Sequence, residues 1–407
     1  MKHCIGITGT NGKTTTSYCV RHILRSAGHR VGLLGTIEYD FGNGDIVPAR
    51  LTTPSPTELA TFLQKMEANG CTHLVMEVSS HGLQQGRTQA IPFSIAAFLN
   101  LTPDHLDYHK TLDNYFAAKC KLFQGPKHIV LNADDARSAA IPLSSQQQRL
   151  TFGVRTQADF FAHSIQCGLK STSFTLVHKR EYACNIPLVG AFNVENCMAA
   201  LAICTAEGIP LEHSIEALKS FKGVPGRIEQ VLDRPIFIDF AHTPDGLKKL
   251  LQTFRALPYR RILLVFGCGG DRDKTKRPHM MRIAHDAADA LWVTSDNPRT
   301  EAIQAIFDDM RHGISLTKPV IFDADRANAI QSAIDAMQPD DVLLIAGKGH
   351  EAYQIIGDQK IPFSDRTVVL NALQRSPEKI EPQSLAVSYR QNGLTSEPKG
   401  DIKQRST

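Results

Sequence analysis

The 407-residue sequence lacks any apolar run that approaches the 18 or more residues of a membrane span. Its first residues lead directly into a glycine-rich motif, without the apolar core of a signal peptide. Cysteine pairs are missing too, because the nine cysteines stand singly and no C-x-x-C spacing occurs. We therefore expect a cytosolic protein without membrane contact, whose cysteines are free and mostly buried.

An excess of charge of one sign is also missing. Lys and Arg number 45 against 41 Asp and Glu, and the cationic residues form no long block. Proteins that follow a phosphate backbone usually carry such a block, so no nucleic-acid partner is expected. With 42% hydrophobic and 21% charged residues, the chain is instead predicted to fold, over two or three domains.

Short apolar segments alternate with segments of helical period in the first third of the chain. Strands are predicted at 5–8, 30–34, 73–78, 95–99 and 128–131, and helices between them at positions such as 14–27 and 55–68. This alternation is typical of a parallel sheet covered by helices on both faces. The segments 149–154, 173–178 and 182–187 have no helices between them and predict an antiparallel edge, before a helix at 193–206.

A turn-rich segment at 222–227 is interpreted as a hinge between domains, after which the alternation resumes. Further strands are predicted at 235–240, 261–266, 290–294, 320–322 and 342–346, with helices such as 245–256 and 326–337. The fold class is thus α/β: a central domain at 1–224 and a Rossmann-like domain at 225–375. The polar segment 376–407 is interpreted as a disordered tail.

A glycine-rich run joins the first strand to the first helix. It reads Gly9-Thr10-Asn11-Gly12-Lys13-Thr14-Thr15. Glycines let backbone N–H groups converge on phosphates, Lys13 supplies a cation, and Thr14 can offer its hydroxyl to Mg²⁺. Ile7 stands where the strict phosphate-loop pattern has its first glycine, so a loop that opens a helix for structural reasons is the alternative.

Polar residues also follow two of the predicted strands, and we expect both sets to lie beside this loop. Glu77 ends one strand, and His105 and His109 come after the next. Ligands of open α/β sheets bind at the carboxyl ends of the strands, and a carboxylate beside a phosphate loop suits Mg²⁺. The alternatives are solvated or capping residues, or zinc, for which no cysteine or third histidine stands at ligand spacing.

Three polar loops leave strands of the second domain. They are 267–274, 295–301 and 347–351, and they contain Arg272, Arg299 and Glu351. Any one loop could be an ordinary turn, but three at one sheet edge predict a binding site. Because a guanidinium binds carboxylates in bidentate fashion, an acidic ligand group is expected there.

The loop 9–15, the strand ends 76–81 and 100–109, and the segment 115–123 together resemble the Mur ligases, which join an amine to a carboxylate through an acyl phosphate. The resemblance extends over residues 4–375 and implies ATP and Mg²⁺ as cofactors. It also implies that Lys119 is converted by CO₂ to a carbamate, whereas the residues alone place Lys119 on an exposed helix surface. The resemblance assigns Lys13, Lys119 and His105 to catalysis, and Thr14, Glu77, His105 and Lys119 to metal binding.

The same resemblance implies three groups of binding residues. For the acceptor UDP-N-acetylmuramoyl-L-alanyl-D-glutamate they are Thr52, Thr53, Ser79, Gln85 and Arg87. For meso-diaminopimelate they are Arg272, Asp296, Asn297, Pro298, Arg299, Gly347 and Glu351. For the nucleotide, besides residues 9–15, they are Asn193, Asn196, Arg227, Asp239 and His242.

The function implied by this resemblance is ATP-dependent addition of diaminopimelate to the muramoyl dipeptide in peptidoglycan synthesis, by a monomer without further partners. A general base for the amine is not identified. Relatives normally have an N-terminal domain that binds the uridine nucleotide, and the chain is expected to lack it. A folylpolyglutamate synthase-like ligase and a non-catalytic ATP-binding remnant remain the alternatives.

Overall fold

The computed structural model describes Met1 and residues 3–375, which form two lobes, each built on one β-sheet. The polar segment 376–407, predicted to be a disordered tail, lies outside the described residues. A cleft lined by both lobes lies between them.

The first lobe is built on an eleven-stranded sheet. Its strands are β1 (His3–Thr8), β2 (Val31–Leu34), β3 (Glu38–Asp40), β4 (Ile46–Pro48), β5 (His73–Glu77), β6 (Ile95–Phe98), β7 (His128–Asn132), β8 (Gln148–Gly153), β9 (Phe160–Cys167), β10 (Thr172–His178) and β11 (Arg180–Ile186). Their spatial order is β11-β10-β9-β8-β7-β6-β1-β5-β2-β3-β4. The seven strands from β9 to β2 are parallel, and an antiparallel hairpin extends each edge.

Helices cover both faces of this sheet. They are α1 (Lys13–Ser26), α2 (Pro56–Ala68), α3 (Ser80–Gln84), α4 (Leu106–His109), α5 (Leu112–Cys120), α6 (Ala191–Ala206) and α7 (Leu211–Lys219). One hydrophobic core lies under α1, α6 and α7, and a second lies under α2, α3 and α5. Consecutive residues of a central strand enter opposite cores, as Val75 and Met76 of β5 do. An uninterrupted apolar run is therefore what a strand buried on both faces requires.

The second lobe is a six-stranded sheet with a small hairpin. The sheet strands are β12 (Glu229–Gln230), β13 (Ile236–Asp239), β14 (Arg261–Phe266), β15 (Ala290–Thr294), β16 (Val320–Asp323) and β17 (Asp341–Ala346), and the hairpin is β18 (Tyr353–Ile356) with β19 (Gln359–Pro362). The order in the sheet is β12-β13-β17-β14-β15-β16, and all pairs are parallel except β12 with β13. The helices are α8 (Pro244–Arg255), α9 (Lys276–Ala287), α10 (Ile303–Arg311), α11 (Arg326–Asp335) and α12 (Asp365–Arg375). Helices α8 to α10 cover one face, and α11 and α12 cover the other.

The predicted α/β architecture is confirmed, with one correction at the sheet edge. The strand predicted at 149–154 was assigned to an antiparallel edge, but β8 pairs in parallel with β7 and with β9. Strand β9, which the sequence pattern does not predict, lies between β8 and the antiparallel pair formed by β10 and β11. Because parallel and antiparallel edge strands share the same side-chain alternation, sequence pattern does not separate them.

Two expectations from composition can be compared with the structure directly. None of the helices in the described part of the chain is both long and apolar enough to cross a bilayer. All nine cysteines are free thiols; seven are buried, and Cys120 and Cys167 are partly exposed.

A buried ion pair fixes the loops at the carboxyl ends of β15 and β17. Arg326 of α11 donates through Nε and Nη2 to both carboxylate oxygens of Asp365, at 2.7 and 2.8 Å, and both side chains are fully buried. The same guanidinium donates to the carbonyl oxygens of Ser295 and Ala346. Helices α11 and α12 are thereby joined to two of the polar loops predicted to form a site.

We expect Asp365→Ala to lower the free energy of unfolding of the second lobe by about 3–5 kcal/mol, because it leaves a buried guanidinium without its counter-charge. The single tryptophan, Trp292, is buried on β15 and reports this lobe by its fluorescence during urea unfolding. The control is Arg366→Met on the same helix, which removes a solvent-exposed pair with Glu229 and should change the value by no more than about 1 kcal/mol. Equal effects of the two variants on the free energy of unfolding would contradict a stabilising role for the buried Arg326–Asp365 pair.

Candidate active site

The cleft between the lobes contains a cavity of about 440 Å³. It lies at the carboxyl ends of the central strands of both sheets, where open α/β sheets bind ligands. Residues predicted for catalysis, metal binding and the three ligands line it, namely Thr10, Asn11, Gly12, Lys13, Thr14, Thr15, Thr52, Ser79, His105, Asn196, Arg227, Asp239, His242, Arg272, Asp296, Asn297, Arg299, Gly347 and Glu351. Other predicted residues are not part of its lining, namely Gly9, Thr53, Glu77, Gln85, Arg87, Lys119, Asn193 and Pro298.

The glycine-rich run forms a tight loop between β1 and α1. Gly12 has φ 88° and lies so close to Asn196 that a Cβ atom would collide with the amide oxygen. Helix α1 begins at Lys13 without a side-chain cap, so its first N–H groups are available to an anion. The Nζ of Lys13 donates to the carbonyl oxygens of Gly9 and Thr10, and burial lowers its pKa. The loop therefore fits a polyphosphate.

Oxygen donors surround Glu77 at the end of β5. Its carboxylate is fully buried and accepts from the hydroxyls of Thr14 (2.9 Å) and Thr36 (2.8 Å), and from the backbone N–H of Thr36. A carboxylate and two hydroxyls beside a phosphate loop are the ligands that Mg²⁺ prefers. Thr14 and Glu77 thus lie together, as predicted.

His105 projects into the cavity from the loop after β6. The residue has φ 55°, and its Nε2 lies 3.4 Å from the carboxylate of Asp104. Burial lowers the pKa of His105 to about 4, so the imidazole is neutral at pH 7 and can bind a metal. The rings of His81 and Tyr115 lie beside it, with centroids at 4.9 and 6.1 Å.

Lys119 is not on the surface, so the interpretation drawn from the residues alone is wrong. Its side chain is only 1% exposed, packs over the ring of Tyr115 and donates to the carbonyl oxygen of Gly9 at 2.9 Å. Lys13 donates to that same oxygen at 2.8 Å. Burial, together with the charge of Lys13, holds the pKa of Lys119 well below its usual range. Lys119 therefore lies at the phosphate loop, just behind the cavity wall.

The residues predicted to bind the acceptor form one wall of the first lobe. Thr53 is buried, where its hydroxyl donates to the carbonyl oxygen of Glu77 and accepts from the N–H of Ser79. Arg87 donates to the carbonyl oxygen of Thr53 and to the amide oxygen of Gln85. Thr52 and Ser79 line the cavity, whereas Thr53, Gln85 and Arg87 do not, although Arg87 is bonded to the backbone of Thr53.

A buried polar network forms the floor of the second-lobe site. Asn297 donates to Glu351 at 2.9 Å, and its amide oxygen accepts from Lys348 Nζ and from the N–H of Ile355. Lys348 is fully buried and also donates to Glu351 at 2.9 Å. Asn297 thus positions the carboxylate of Glu351, and Asp296 lies beside it at the cavity wall.

Arg299 is held in the cavity wall by its backbone. The residue has φ 52°, its N–H donates to the carbonyl oxygen of Ile355, and its own carbonyl oxygen accepts from Gly357. Nη1 donates to the carbonyl oxygens of Gly270 (2.7 Å) and Asn297 (3.3 Å). Among the described residues, Nε and Nη2 donate no hydrogen bond, so both remain available to a ligand carboxylate. Arg272 lines the same cavity.

Arg227, in the segment between the lobes, and residues of the second lobe close the cleft. The guanidinium of Arg227 lies over the ring of Phe240, 4.4 Å from its centroid, and Nη2 approaches Thr14 Oγ1 at 3.4 Å. Asp239 accepts from the N–H groups of Ile228 and Ala241, and burial raises its pKa. Across the cleft, Asn11 donates to Asp245 at 2.9 Å. The two lobes are therefore in direct contact at the phosphate loop.

Of the remaining residues predicted to bind the nucleotide, two line the cavity and one lies behind its wall. Asn193 is buried and donates to the carbonyl oxygen of Val189, and its amide oxygen accepts from Asn196. It therefore positions Asn196, which faces the cavity. His242 lines the cavity, with Nδ1 2.8 Å from the carbonyl oxygen of Phe240.

Some residues of the site were not identified from sequence. Thr36 follows β2 at the same sheet edge as Glu77, so the strand-end rule could have found it. Lys348 stands within the predicted polar loop 347–351, but no pattern in the sequence gives it a role. Arg277 of α9 is fully buried, donates to Gly269, Glu301 and Asp309, and holds two of the loops together. No pattern in the sequence indicates Arg277.

Comparison with protein families gives two matches along the chain. Residues 7–204 match the Mur ligase middle domain, and residues 226–349 match the Mur ligase glutamate ligase domain. A protein of Synechococcus elongatus named UDP-N-acetylmuramoyl-L-alanyl-D-glutamate–2,6-diaminopimelate ligase is 46% identical over 371 residues, which are 89% of this chain and 74% of that protein. A protein of the same name from Bacillus licheniformis is 45% identical over 91% of this chain and 78% of its own length.

Solved structures show the same likeness. A structure titled as a UDP-N-acetylmuramoyl-L-alanyl-D-glutamate–2,6-diaminopimelate ligase superimposes with a TM-score of 0.66 at 36% identity, over 93% of this chain and 79% of that one. Folylpolyglutamate synthase from Mycobacterium tuberculosis has a TM-score of 0.66 at 19% identity, over 85% of this chain and 88% of its own. The second likeness concerns the fold alone.

Proposed function

The chain belongs to the Mur ligase family, and from this premise we propose that it is an ATP-dependent amide ligase that adds meso-diaminopimelate to UDP-N-acetylmuramoyl-L-alanyl-D-glutamate. The main support for this proposal is that Arg299 of the second lobe and the phosphate loop of the first lobe line the same cavity. A triphosphate on the first lobe and an acidic amino acid on the second would then meet between them. The names of the 46% and 45% identical relatives support the same substrates.

The first step is transfer of the γ-phosphoryl group of ATP to the γ-carboxylate of the D-glutamyl residue, which yields an acyl phosphate and ADP. The chain contributes the cation of Lys13 and the N–H groups at the start of α1, which stabilise the charge of the phosphoryl group. Thr14, Glu77 and His105 would bind Mg²⁺, which neutralises phosphate charge when bound. Catalysis at this step is mainly placement and charge stabilisation.

The second step is attack of the diaminopimelate amine on the acyl carbon, after which the tetrahedral intermediate expels phosphate. We assign Arg299 to the distal carboxylate of diaminopimelate, with Arg272 as a second cation at the same cavity. Asp296 and the carboxylate of Glu351, fixed by Asn297 and Lys348, would accept hydrogen bonds from the distal ammonium. Lysine has no distal carboxylate and would leave Arg299 without a partner, which disfavours it.

We further propose that Lys119 is converted to a carbamate. A lysine with a lowered pKa has a free amine fraction, whose nitrogen adds to the carbon of CO₂ and loses one proton to water. In the unmodified chain, Lys13 and Lys119 direct two amines at one carbonyl oxygen. A carbamate on Lys119 converts this repulsion to attraction and supplies a further oxygen ligand for Mg²⁺.

The test is an assay of ADP release and tripeptide formation by the purified chain, with diaminopimelate and lysine supplied in parallel. We expect a product that contains diaminopimelate and requires ATP and the muramoyl dipeptide. Lys13→Met, which removes the cation from the phosphate loop, serves as the inactive control. Folate-dependent ATP turnover that ignores diaminopimelate would favour a folylpolyglutamate synthase-like activity, and ATP binding without any product would favour a non-catalytic role.

A further inference from the structure

Three potential metal ligands meet at the edge of the first sheet opposite the catalytic cavity. His3 is the first residue of β1, and His73 is the first residue of β5. The two residues are register partners in the parallel β1–β5 pair, so their side chains lie next to each other on one face. Glu207 caps the carboxyl end of α6 and approaches them from that face. The fold itself therefore brings two imidazoles and a carboxylate to one point.

The distances fit a small cation. Nδ1 of His3 lies 2.5 Å from Oε1 of Glu207, and Nε2 of His73 lies 3.5 Å from the same oxygen. One ligand atom from each residue falls within 4.8 Å of the other two. The imidazole rings stack with their centroids 4.6 Å apart. Zinc bound at about 2.0–2.2 Å to each of three such atoms would need only small side-chain adjustments.

The balance of charge also favours a cation. The side chains of His73 and Glu207 are 4% and 7% exposed, whereas that of His3 is 46% exposed. Among the described residues, the ionic partners of Glu207 are these two histidines. A buried carboxylate requires compensation, and a divalent ion bound between it and the two imidazoles supplies it. His29 packs against His73 and shields that side.

We propose that His3, His73 and Glu207 bind one Zn²⁺ ion through Nδ1, Nε2 and Oε1, with water as the fourth ligand. Two imidazoles and one carboxylate suit zinc, whereas Mg²⁺ prefers ligand sets in which oxygen predominates. The ion would join the beginnings of β1 and β5 to the end of α6. The site is structural, because it lies at the sheet edge remote from the phosphate loop.

Zinc alone is the probe, added to untagged, metal-free full-length chain and followed by isothermal titration calorimetry. We expect His3→Gln to weaken binding of one Zn²⁺ by at least about 100-fold, as loss of a direct ligand should cost no less than loss of an outer-sphere partner. Because His3 is largely exposed, this variant should fold even if a change at buried His73 does not. His163→Gln, which removes another histidine beside a glutamate, should bind zinc like the wild type.

Cobalt spectroscopy separates this site from the histidines of the catalytic cavity. Co²⁺ bound to the wild type should give the intense visible absorption of a four-coordinate ion, which His3→Gln abolishes and His105→Gln retains. Zinc should also raise the unfolding temperature of the wild type but not of His3→Gln. Undetectable zinc binding by the wild type, or binding and spectra unchanged in His3→Gln, would overturn the proposal.

Discussion

Lys119→Ala is expected to reduce tripeptide formation by roughly 10³-fold while ATP binding persists, because removal of a preorganised charged group at a phosphoryl-transfer site costs several kcal/mol. The lysine is buried behind the phosphate loop and shares the Gly9 carbonyl oxygen with Lys13. Added formate or acetate should restore part of the activity by occupying the position of the carbamate. Initial rates measured with and without these acids, alongside nucleotide affinity, check the expectation.

Two further measurements test whether the loss of activity is specific to a carbamate on Lys119. Lys121→Ala is the matched control, since Lys121 follows α5 on the protein surface and donates to the side chain of Gln84. It should leave the rate unchanged, with or without added acids. Wild-type chain equilibrated with ¹³CO₂ should show a carbamate carbon resonance that Lys119→Ala lacks. An alanine variant at position 119 with full activity would contradict the carbamate role.

Arg299→Ala is expected to lower the preference for diaminopimelate over lysine by about 10²-fold, the equivalent of about 3 kcal/mol, with ATP affinity unchanged. Loss of hydrogen bonds between charged groups accounts for an effect of this size. The change should appear in kcat/KM for diaminopimelate, with little change for lysine, because only diaminopimelate carries the distal carboxylate. Competition between the two amino acids in one reaction measures the ratio directly.

Two other arginines of the second lobe serve as comparisons for the effect of Arg299→Ala on selectivity. Arg311→Ala, in the same lobe, removes a guanidinium that packs on Phe322 away from the cavity and should not alter selectivity. Arg272→Ala removes the second cation of the site and should have a smaller effect than Arg299→Ala. Unchanged selectivity in Arg299→Ala would refute the assignment of the distal carboxylate, even if the chain remains an active ligase.

Residues at strand ends were the most accessible to prediction from sequence. Apolar runs buried on both faces define the central strands, and their carboxyl ends must meet at one edge. This geometry brings Thr14 and Glu77 together, and on the second sheet it aligns the loops that contain Asp296 and Glu351. The local pattern is sufficient to predict these positions because a parallel sheet brings the carboxyl ends of its strands to the same edge.

Burial and contacts that depend on packing between distant parts of the chain could not be predicted from sequence in this way. Nothing near Lys119 in the sequence indicates burial; the phosphate loop, 110 residues away, creates it. The full burial of Arg277 depends on Glu301 and Asp309, which come from other elements of the second lobe. Likewise, His3 and Glu207 are 204 residues apart and meet only because α6 lies across the sheet. Such contacts require the assembled fold.

The segment between the lobes does more than connect them. Arg227 belongs to this connection, yet its guanidinium reaches the Thr14 hydroxyl at the start of α1. We therefore expect a rotation of the second lobe that moves this connection to displace a positive charge at the proposed triphosphate site. Opening of the cleft would thereby weaken the attraction between this side chain and bound ADP, so we expect cleft opening and ADP release to be coupled through Arg227.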